Sequence, residues 1–474
     1  MNEILTPDLC VLGGGSAGLS IAAGAVQMGA SVVLIENHKM GGDCLNYGCV
    51  PSKTLLAAGK KAKAFQATNS MGIEGNLSHI EFAQVMAHVK GVIATIEPHD
   101  SQERFEGLGV TVLRGSGRFT GRKELEIDGK TVRARRFVVA TGSSAFVPPI
   151  PGLDQISHLT NESIFDLDEL PKKLLVVGGG PIGCELAQAF RHLGADVAVF
   201  EMFSIMPKND PEAVEIVRQS LLDDGVEVFE NAKVSGFAKS SMGATISFEK
   251  GGIEQTMDGS HVLIATGRKP SVDGLGLEEA GVDYDRRGIA VDKGLRTSNR
   301  KIYAAGDVAG SYQFTHVAGY HAGIIVRSAL FRLPAKVDYK AVPWVTYTSP
   351  EVANVGLTEA DAKEQSLDYQ VLRADFSGND RAVAEKDTVG FLKVLVTAKG
   401  KVLGASMVGT NAGEIIQVWA LAITNKLKIS AMTSMIAPYP TRGEINKRAA
   451  GAFYTPKLFS EKTKKVVRFL ARFG

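Results

Sequence analysis

"DLCVLGGGSAGLSIAAGAVQMGASVVLIE", residues 8–36, runs from an apolar stretch through a cluster of glycines into a helix-forming segment, a second apolar stretch and a closing carboxylate. Gly13, Gly15 and Gly18 stand at Gly-x-Gly-x-x-Gly spacing, and Glu36 ends the second stretch. In a strand–turn–helix–strand unit the first glycine permits the tight turn, the second lets backbone approach a pyrophosphate, and the third lets helix lie close on strand. The helix N-terminus attracts the phosphates, and the terminal acid takes ribose hydroxyls. A single such pattern is weak. Residues 173–201, "KLLVVGGGPIGCELAQAFRHLGADVAVFE", repeat every part of it, with Gly178, Gly180, Gly183 and Glu201. Two full copies predict an α/β chain with two Rossmann-like domains and two bound dinucleotides. "VVATGSSA" at 138–145 and "LIATGRKP" at 263–270 are shorter echoes of the same duplication.

At 474 residues and 45% hydrophobic composition the chain is long enough for roughly three or four cored domains. Its formal net charge of +2 offers no global field for nucleic acid, so the expected substrate is small. The opening MNEILTPD has neither a basic nor an apolar leader region, and no run approaches the ~20 apolar residues that span a bilayer. The expected compartment is a reducing cytoplasm, where closely spaced cysteines more often serve metal binding or redox chemistry than structure. Only four cysteines occur, two of them in "GGDCLNYGCVPSK", residues 41–53. Cys10 lies in an apolar run, Cys184 follows the second glycine cluster, and no histidine stands near Cys44 or Cys49 at ligand spacing, so no metal site is expected. Five residues apart on a regular helix, two Cα atoms are ~8.6 Å apart; a disulfide wants at most about 6.8 Å. If Cys44 and Cys49 bond, the helix must deform between them, and Gly48 is the expected place. A helix beginning beside Pro51 and Ser52 would set both sulfurs near a helix N-terminus and Lys53, which favours thiolate.

With these motifs, "IYAAGDV" at 302–308 and "PWVTYTSPEVANVGLT" at 343–358, the sequence resembles the group I flavoprotein disulfide reductases over essentially its whole length. That family includes dihydrolipoamide dehydrogenase, glutathione reductase and mercuric reductase. The resemblance implies a glutathione-reductase-like fold: an FAD-binding domain in two segments (1–150 and 275–341), an NAD-binding domain (151–274) and a C-terminal α+β dimerisation domain (342–474). It implies that hydride passes from reduced nicotinamide through FAD to a Cys44–Cys49 disulfide, with Cys49 as the flavin-facing, charge-transfer thiol and Cys44 as the interchange thiol. Lys53 would lie near the flavin, paired with Glu185. Asp307 would contact the ribityl chain, Gly117 and Gly142 would line the FAD site, and Gly267 would line the nicotinamide nucleotide site. A homodimer is implied, each active site completed by the partner chain, with "GASMVGTNAGEIIQVWALAITNK" (404–426) as a suitable apolar contact. Glu201, with no arginine in the MFSIMPK that follows, favours NADH over NADPH.

In "APYPTRGEINKRAA", 437–450, the position that dihydrolipoamide dehydrogenase and glutathione reductase give to a histidine base is Tyr439, with Glu444 five residues on. A phenol of ordinary pKa near 10 is a poor base at neutral pH. Mercuric reductases resemble the chain here, but the tail ends RFLARFG without that family's vicinal cysteines. The expected acceptor is therefore a small disulfide, a dithiol or a soft-metal thiolate such as Hg(II). The other reading is a redox subunit that hands electrons to a protein or quinone partner. Finally, 456–474 reads as a basic amphipathic helix: Val466, Phe469, Leu470 and Phe473 on one face, Lys464, Lys465, Arg468 and Arg472 on others. Its stripe is expected to pack on the C-terminal domain; the alternative is contact with an anionic membrane surface.

Overall fold

Leu9–Leu12 is buried at all four positions and Val32–Glu36 at all five. Such unbroken apolar strands belong to a parallel sheet covered on both faces. The computed structural model, which describes residues 3–66, 71–72, 79–310 and 312–473, shows that sheet; Gly474, the last residue of the tail, lies outside the described residues. Its five parallel strands run in the order Ile302–Ala304, Arg136–Val139, Leu9–Leu12, Val32–Glu36, Thr111–Arg114. Side-chain alternation divides the strands between two cores. Leu9, Val11, Val32 and Leu34 pack under the helices Ser16–Gln27 and Thr315–Leu330. Cys10, Leu12, Val33 and Ile35 face the other way, against Phe119, Leu125 and Ile127 of an antiparallel meander. Cys10 is thus a core residue whose thiol is pushed up by burial.

The second glycine pattern builds a like sheet, with Lys173–Val177 parallel to both Asp196–Phe200 and His261–Ile264. A three-stranded antiparallel sheet, Ala232–Lys239, Ala244–Lys250 and Ile253–Gly259, covers one side through Phe237, Ile246 and Phe248. The two short echoes of the sequence meet: Ser143–Ala145 pairs antiparallel with Arg268–Pro270.

These parts form one compact unit, residues 1–202 with 229–338; residues 203–228 and 339–474 form another. The stretch 203–228, which lies inside the sequence-predicted 151–274 domain, thus clusters with the C-terminal sheet. That sheet is antiparallel, in the order Pro343–Thr346, Glu351–Gly356, Val402–Gly409, Phe391–Val396, Gln370–Asp375. The 404–426 segment expected at a subunit contact is largely spent inside its own unit. Ala405, Met407 and Trp419 are core residues, and Trp419 donates to Asn446 Oδ1 at 2.7 Å. Leu421 is the large apolar side chain of that segment left well exposed. The tail does form a helix, Glu461–Leu470, but none of its residues is buried, so the stripe does not pack on its own protomer.

Residues 203–228 are joined to the C-terminal sheet by charge. Asp210 caps the helix Pro211–Asp223, accepting from the amides of Glu212 and Ala213. The buried Lys393 ammonium lies 3.0 Å from Asp210 Oδ2, 3.3 Å from Glu359, and against Glu212. Removing the cation leaves the buried Asp210 carboxylate uncompensated and costs about 3–5 kcal/mol. Lys393→Met is expected to lower the unfolding free energy of this unit by that amount, read from the fall in denaturant midpoint at constant m-value, and Lys393→Met combined with Asp210→Asn to recover part of it. Tryptophan fluorescence reads the transition directly, since both tryptophans, Trp344 and Trp419, lie in this unit.

Candidate active site

The cysteine motif is seated on the first glycine pattern, glycine against glycine. Gly41 and Gly42 have φ of 85° and 60°, the left-handed region that favours glycine. Gly41 N–H donates to Gly14 O at 2.9 Å, and a Cβ on Gly42 would stand 2.7 Å from Gly15 Cα. From there a short helix, Gly42–Asn46, carries Cys44. The chain breaks at Tyr47–Gly48, where a Cβ on Gly48 would meet Asp43 Oδ2 at 2.8 Å, and the helix Cys49–Gln66 begins. The break is what lets two thiols five residues apart turn toward each other. Both are free, Cys44 half-buried and Cys49 exposed on the protomer.

Their hydrogen bond divides the charge unequally. Cys49 is lowered to about 6, first by the bond from Cys44, against burial, with help from the Thr315 hydroxyl at 3.5 Å and from Lys53. Cys44 is pushed far up by the same bond and by burial. The reduced pair therefore holds one proton on Cys44 and a thiolate on Cys49. Lys53 in turn donates to the buried carboxylate of Glu185 at 2.8 Å. Glu185 lies on Pro181–His192, the helix of the second glycine pattern. The two helices lie close: a Cβ on Gly59 would be 3.3 Å from Ala189 O.

A second network was not read from the sequence. Asp43, beside Cys44, accepts from Asn161 Nδ2 at 3.0 Å and pairs with Arg268 at 3.0 Å. Arg268 also donates to Ser143 Oγ and Ser143 O, both at 2.8 Å, and stands 3.8 Å from Asp307. Burial raises the Asp307 carboxyl, partly offset by a 2.5 Å bond from Ser143 and by Arg268. The one available signal for Arg268 was its place directly after the second ATG echo. His321, fully buried and pushed down to about 4 by burial, accepts from Gly306 N at 3.1 Å and so ties down the turn that carries Asp307.

The two glycine patterns share one geometry. Gly13 and Gly178 have φ of +108° and +111°, and a Cβ on either would strike the backbone of Ala140 or Ala265. A Cβ on Gly18 or Gly183 would lie 1.8 or 1.9 Å from the carbonyl oxygen of Gly13 or Gly178. Gly15 and Gly180 are the open positions: one meets only Gly42, at 3.7 Å, and the other nothing within 4 Å. Each begins a helix with no side-chain cap and no acid in the first turn, which leaves the amides to a phosphate. Glu36 and Glu201 occupy matching posts, accepting from the amides of Gly14 (2.6 Å) and Gly179 (2.7 Å). Gly142 and Gly267 also border open space, whereas Gly117 packs against Ile35 and Leu125. The residues present fit two dinucleotides, one at each cradle. Among the described residues, no three His, Cys, Asp or Glu side chains converge as metal ligands.

Tyr439 and Glu444 belong to the other unit. Their loop is held by Asn379, which donates to Thr441 O at 3.0 Å, and by the buried Arg442, paired with Glu385 and Asp387. Glu444 opens the helix Glu444–Ala452 and accepts from Thr441 N at 3.4 Å. The Tyr439 hydroxyl, 70% exposed with its residue, donates instead to Asp380 Oδ2 at 3.0 Å, a partner the sequence reading missed. The Asp380 carboxylate holds that phenol above its ordinary value.

Residues 7–322 match the pyridine nucleotide-disulphide oxidoreductase family, and residues 342–450 match its dimerisation domain. A mercuric reductase of Staphylococcus aureus is 36% identical over 94% of this chain and 82% of its own. A dihydrolipoyl dehydrogenase of Bacillus subtilis is 34% identical over 94% and 95%. Among solved structures, the Cu(II) complex of the HOCl-induced flavoprotein disulfide reductase RclA from Escherichia coli superposes with a TM-score of 0.82. It is 27% identical and covers 92% of this chain and 98% of that one.

Alkylation of the reduced protein should rise with pH through a midpoint of about 6, that of the Cys49 thiolate, and then level off. Cys44→Ala should move this midpoint up further than Lys53→Met, because the Cys44 hydrogen bond is the larger cause; equal shifts would contradict the division of charge. Phenol absorbance should show Asp380→Asn lowering the ionisation of Tyr439 toward the ordinary value of about 10, with Tyr439→Phe as the blank.

Proposed function

The chain belongs to the pyridine nucleotide-disulphide oxidoreductases, and on that premise we propose that Cys44 and Cys49 are its redox pair, NADH its reductant, and a thiophilic metal ion or disulfide its acceptor. The family is FAD- and pyridine-nucleotide-dependent, and the bound cofactors supply two-electron hydride chemistry. The observation that carries the reading is the seating of the two-cysteine turn on the first dinucleotide cradle, Gly42 against Gly15, with Thr315 at Cys49 and the Lys53–Glu185 pair beside it.

The chain's own residues then divide the work. Lys53, fixed by Glu185, keeps a positive charge near Cys49 and stabilises its thiolate. With a disulfide acceptor, Cys44 loses its proton and its sulfur attacks one acceptor sulfur, expelling the other as thiolate. Cys49 then attacks Cys44, releases the second thiolate and closes the Cys44–Cys49 disulfide. Two electrons have left the pair, and the two product thiolates take up protons. The difficult step is the first. In the dimer implied by the dimerisation domain, the partner subunit's Tyr439 would face Cys44; a phenol held as a donor by Asp380 does not take up the thiol proton. A metal ion removes that difficulty, because a coordinating thiol loses its proton to the metal's own charge. We therefore rank soft-metal thiolates above disulfides such as lipoamide, in line with the mercuric reductases among the relatives and the Cu(II) complex of RclA. Glu201 supports NADH: its carboxylate can accept a ribose 2′-hydroxyl and would repel a 2′-phosphate. Free thiols of this kind suit a reducing, cytoplasmic setting.

NADH oxidation measured with Hg(II)-thiolate, Cu(II), glutathione disulfide, lipoamide and a quinone is expected to be fastest with a metal. Turnover with none of them would favour a protein acceptor. NADPH matching NADH in kcat/KM would overturn the cofactor assignment. Tyr439→His should raise dihydrolipoamide oxidation by ~100-fold or more if the absent base limits it; no gain would show that pocket shape does.

A further inference from the structure

The helix Glu461–Leu470 leaves a continuous apolar face in water. Phe469, Leu470 and Phe473 are 56%, 58% and 74% exposed, and Val466 and Val467 are exposed beside them, as are Leu458 and Phe459 in the preceding turn. An apolar face of this extent marks a contact site. The other side is cationic. Lys464, Lys465, Arg468 and Arg472 cluster there at helical spacing, Lys462 stands in line with the apolar face at its N-terminal end, and the single acid, Glu461, pairs with Lys464 at 2.7 Å. The helix is a formed element: Ser460 caps it, accepting from Thr463 N at 3.2 Å. It also lies beyond the dimerisation domain, whose match stops at residue 450. Two such tails packed on each other about a two-fold axis would bring identical cation clusters together, which argues against a second copy as the occupant.

We propose that this helix docks on an anionic lipid bilayer. It lies in the plane of the interface with Val466, Phe469, Leu470 and Phe473 sunk to the level where headgroups meet acyl chains. Lys465 and Lys464 stretch along the two edges to lipid phosphates, and Lys462 reaches up from the N-terminal end of the face, their methylene stems covering apolar surface while the ammonium groups stay hydrated. Arg468 and Arg472 add to the field that draws the helix to a negative surface. The docking is independent of the acceptor proposed above, and would hold a chain without any described helix long and apolar enough to cross a membrane at a membrane surface.

The test is co-sedimentation of the full-length protein with vesicles of phosphatidylcholine alone and of phosphatidylcholine with phosphatidylglycerol, at low and high salt. Binding is expected to the anionic vesicles only, to weaken with salt, and to be lost when residues 461–474 are removed. Phe469→Ser with Leu470→Ser should weaken it by about tenfold or more, and Lys465→Gln with Arg468→Gln by about thirtyfold, with NADH oxidation in solution unchanged. Equal binding to neutral vesicles, or binding that survives the truncation, overturns the proposal. So does a truncated protein that sediments as monomer where the full chain is a dimer, which would assign the stripe to a second copy, and so does retention on an acidic protein without retention on lipid.

Discussion

The placement of the thiols depends on one close approach, that of Gly42 to Gly15. Gly42 has no room for a Cβ against Gly15, so the loop that would cradle a pyrophosphate and the segment that carries Cys44 share one surface. Everything after that contact is a consequence of direction. The short helix leaves Gly42 toward Asp43, which is anchored on Arg268 and Asn161; the break at Tyr47–Gly48 turns the chain; and the long helix then runs along its neighbour until Lys53 meets Glu185. Three long-range anchors fix a segment of little more than ten residues, which is how a loop becomes rigid enough for two sulfurs to share one proton.

That shared proton sets the character of the site. A thiolate on Cys49 is stabilised by donors on three sides, while Cys44 pays for the arrangement with a thiol that gives up its hydrogen reluctantly. In a relative with a histidine base the reluctance is relieved from outside. In this chain the residue proposed for that place, Tyr439, is engaged as a donor to Asp380. On the roles proposed for them, Cys49 is the strongly prepared sulfur and Cys44 the weakly prepared one, and the chemistry of the acceptor would supply the difference.

What could be read in the sequence was what glycine and apolar spacing encode locally. Gly13 and Gly178 adopt the same left-handed turn because the same short pattern surrounds each, and the buried strands that lead into them are as apolar as a doubly covered sheet requires. Arg268 and Asp380 could not be read, since their partners stand 225 and 59 positions away in the chain and nothing in the intervening residues marks them. The segment 404–426 shows a different limit. Its apolarity announces burial, but burial has no direction, and most of the surface expected at a subunit contact went to the segment's own core. The tail shows the converse: its amphipathic pattern was plain, while the absence of any surface of the same protomer to receive the stripe was visible only in three dimensions.

The chain passes from one compact unit to the other at residues 202–203, 228–229 and 338–339, and this has a consequence in time. A nascent chain exposes Asp210 and Glu212 long before Lys393, which follows them by 183 and 181 residues, has been translated. During that interval the helix Pro211–Asp223 has neither its cation nor its sheet, while the nucleotide-binding sheets on either side of it in the sequence can already assemble. The order of synthesis therefore makes residues 203–228 a waiting arm, and any factor that binds the protein before it is complete will find that arm presented.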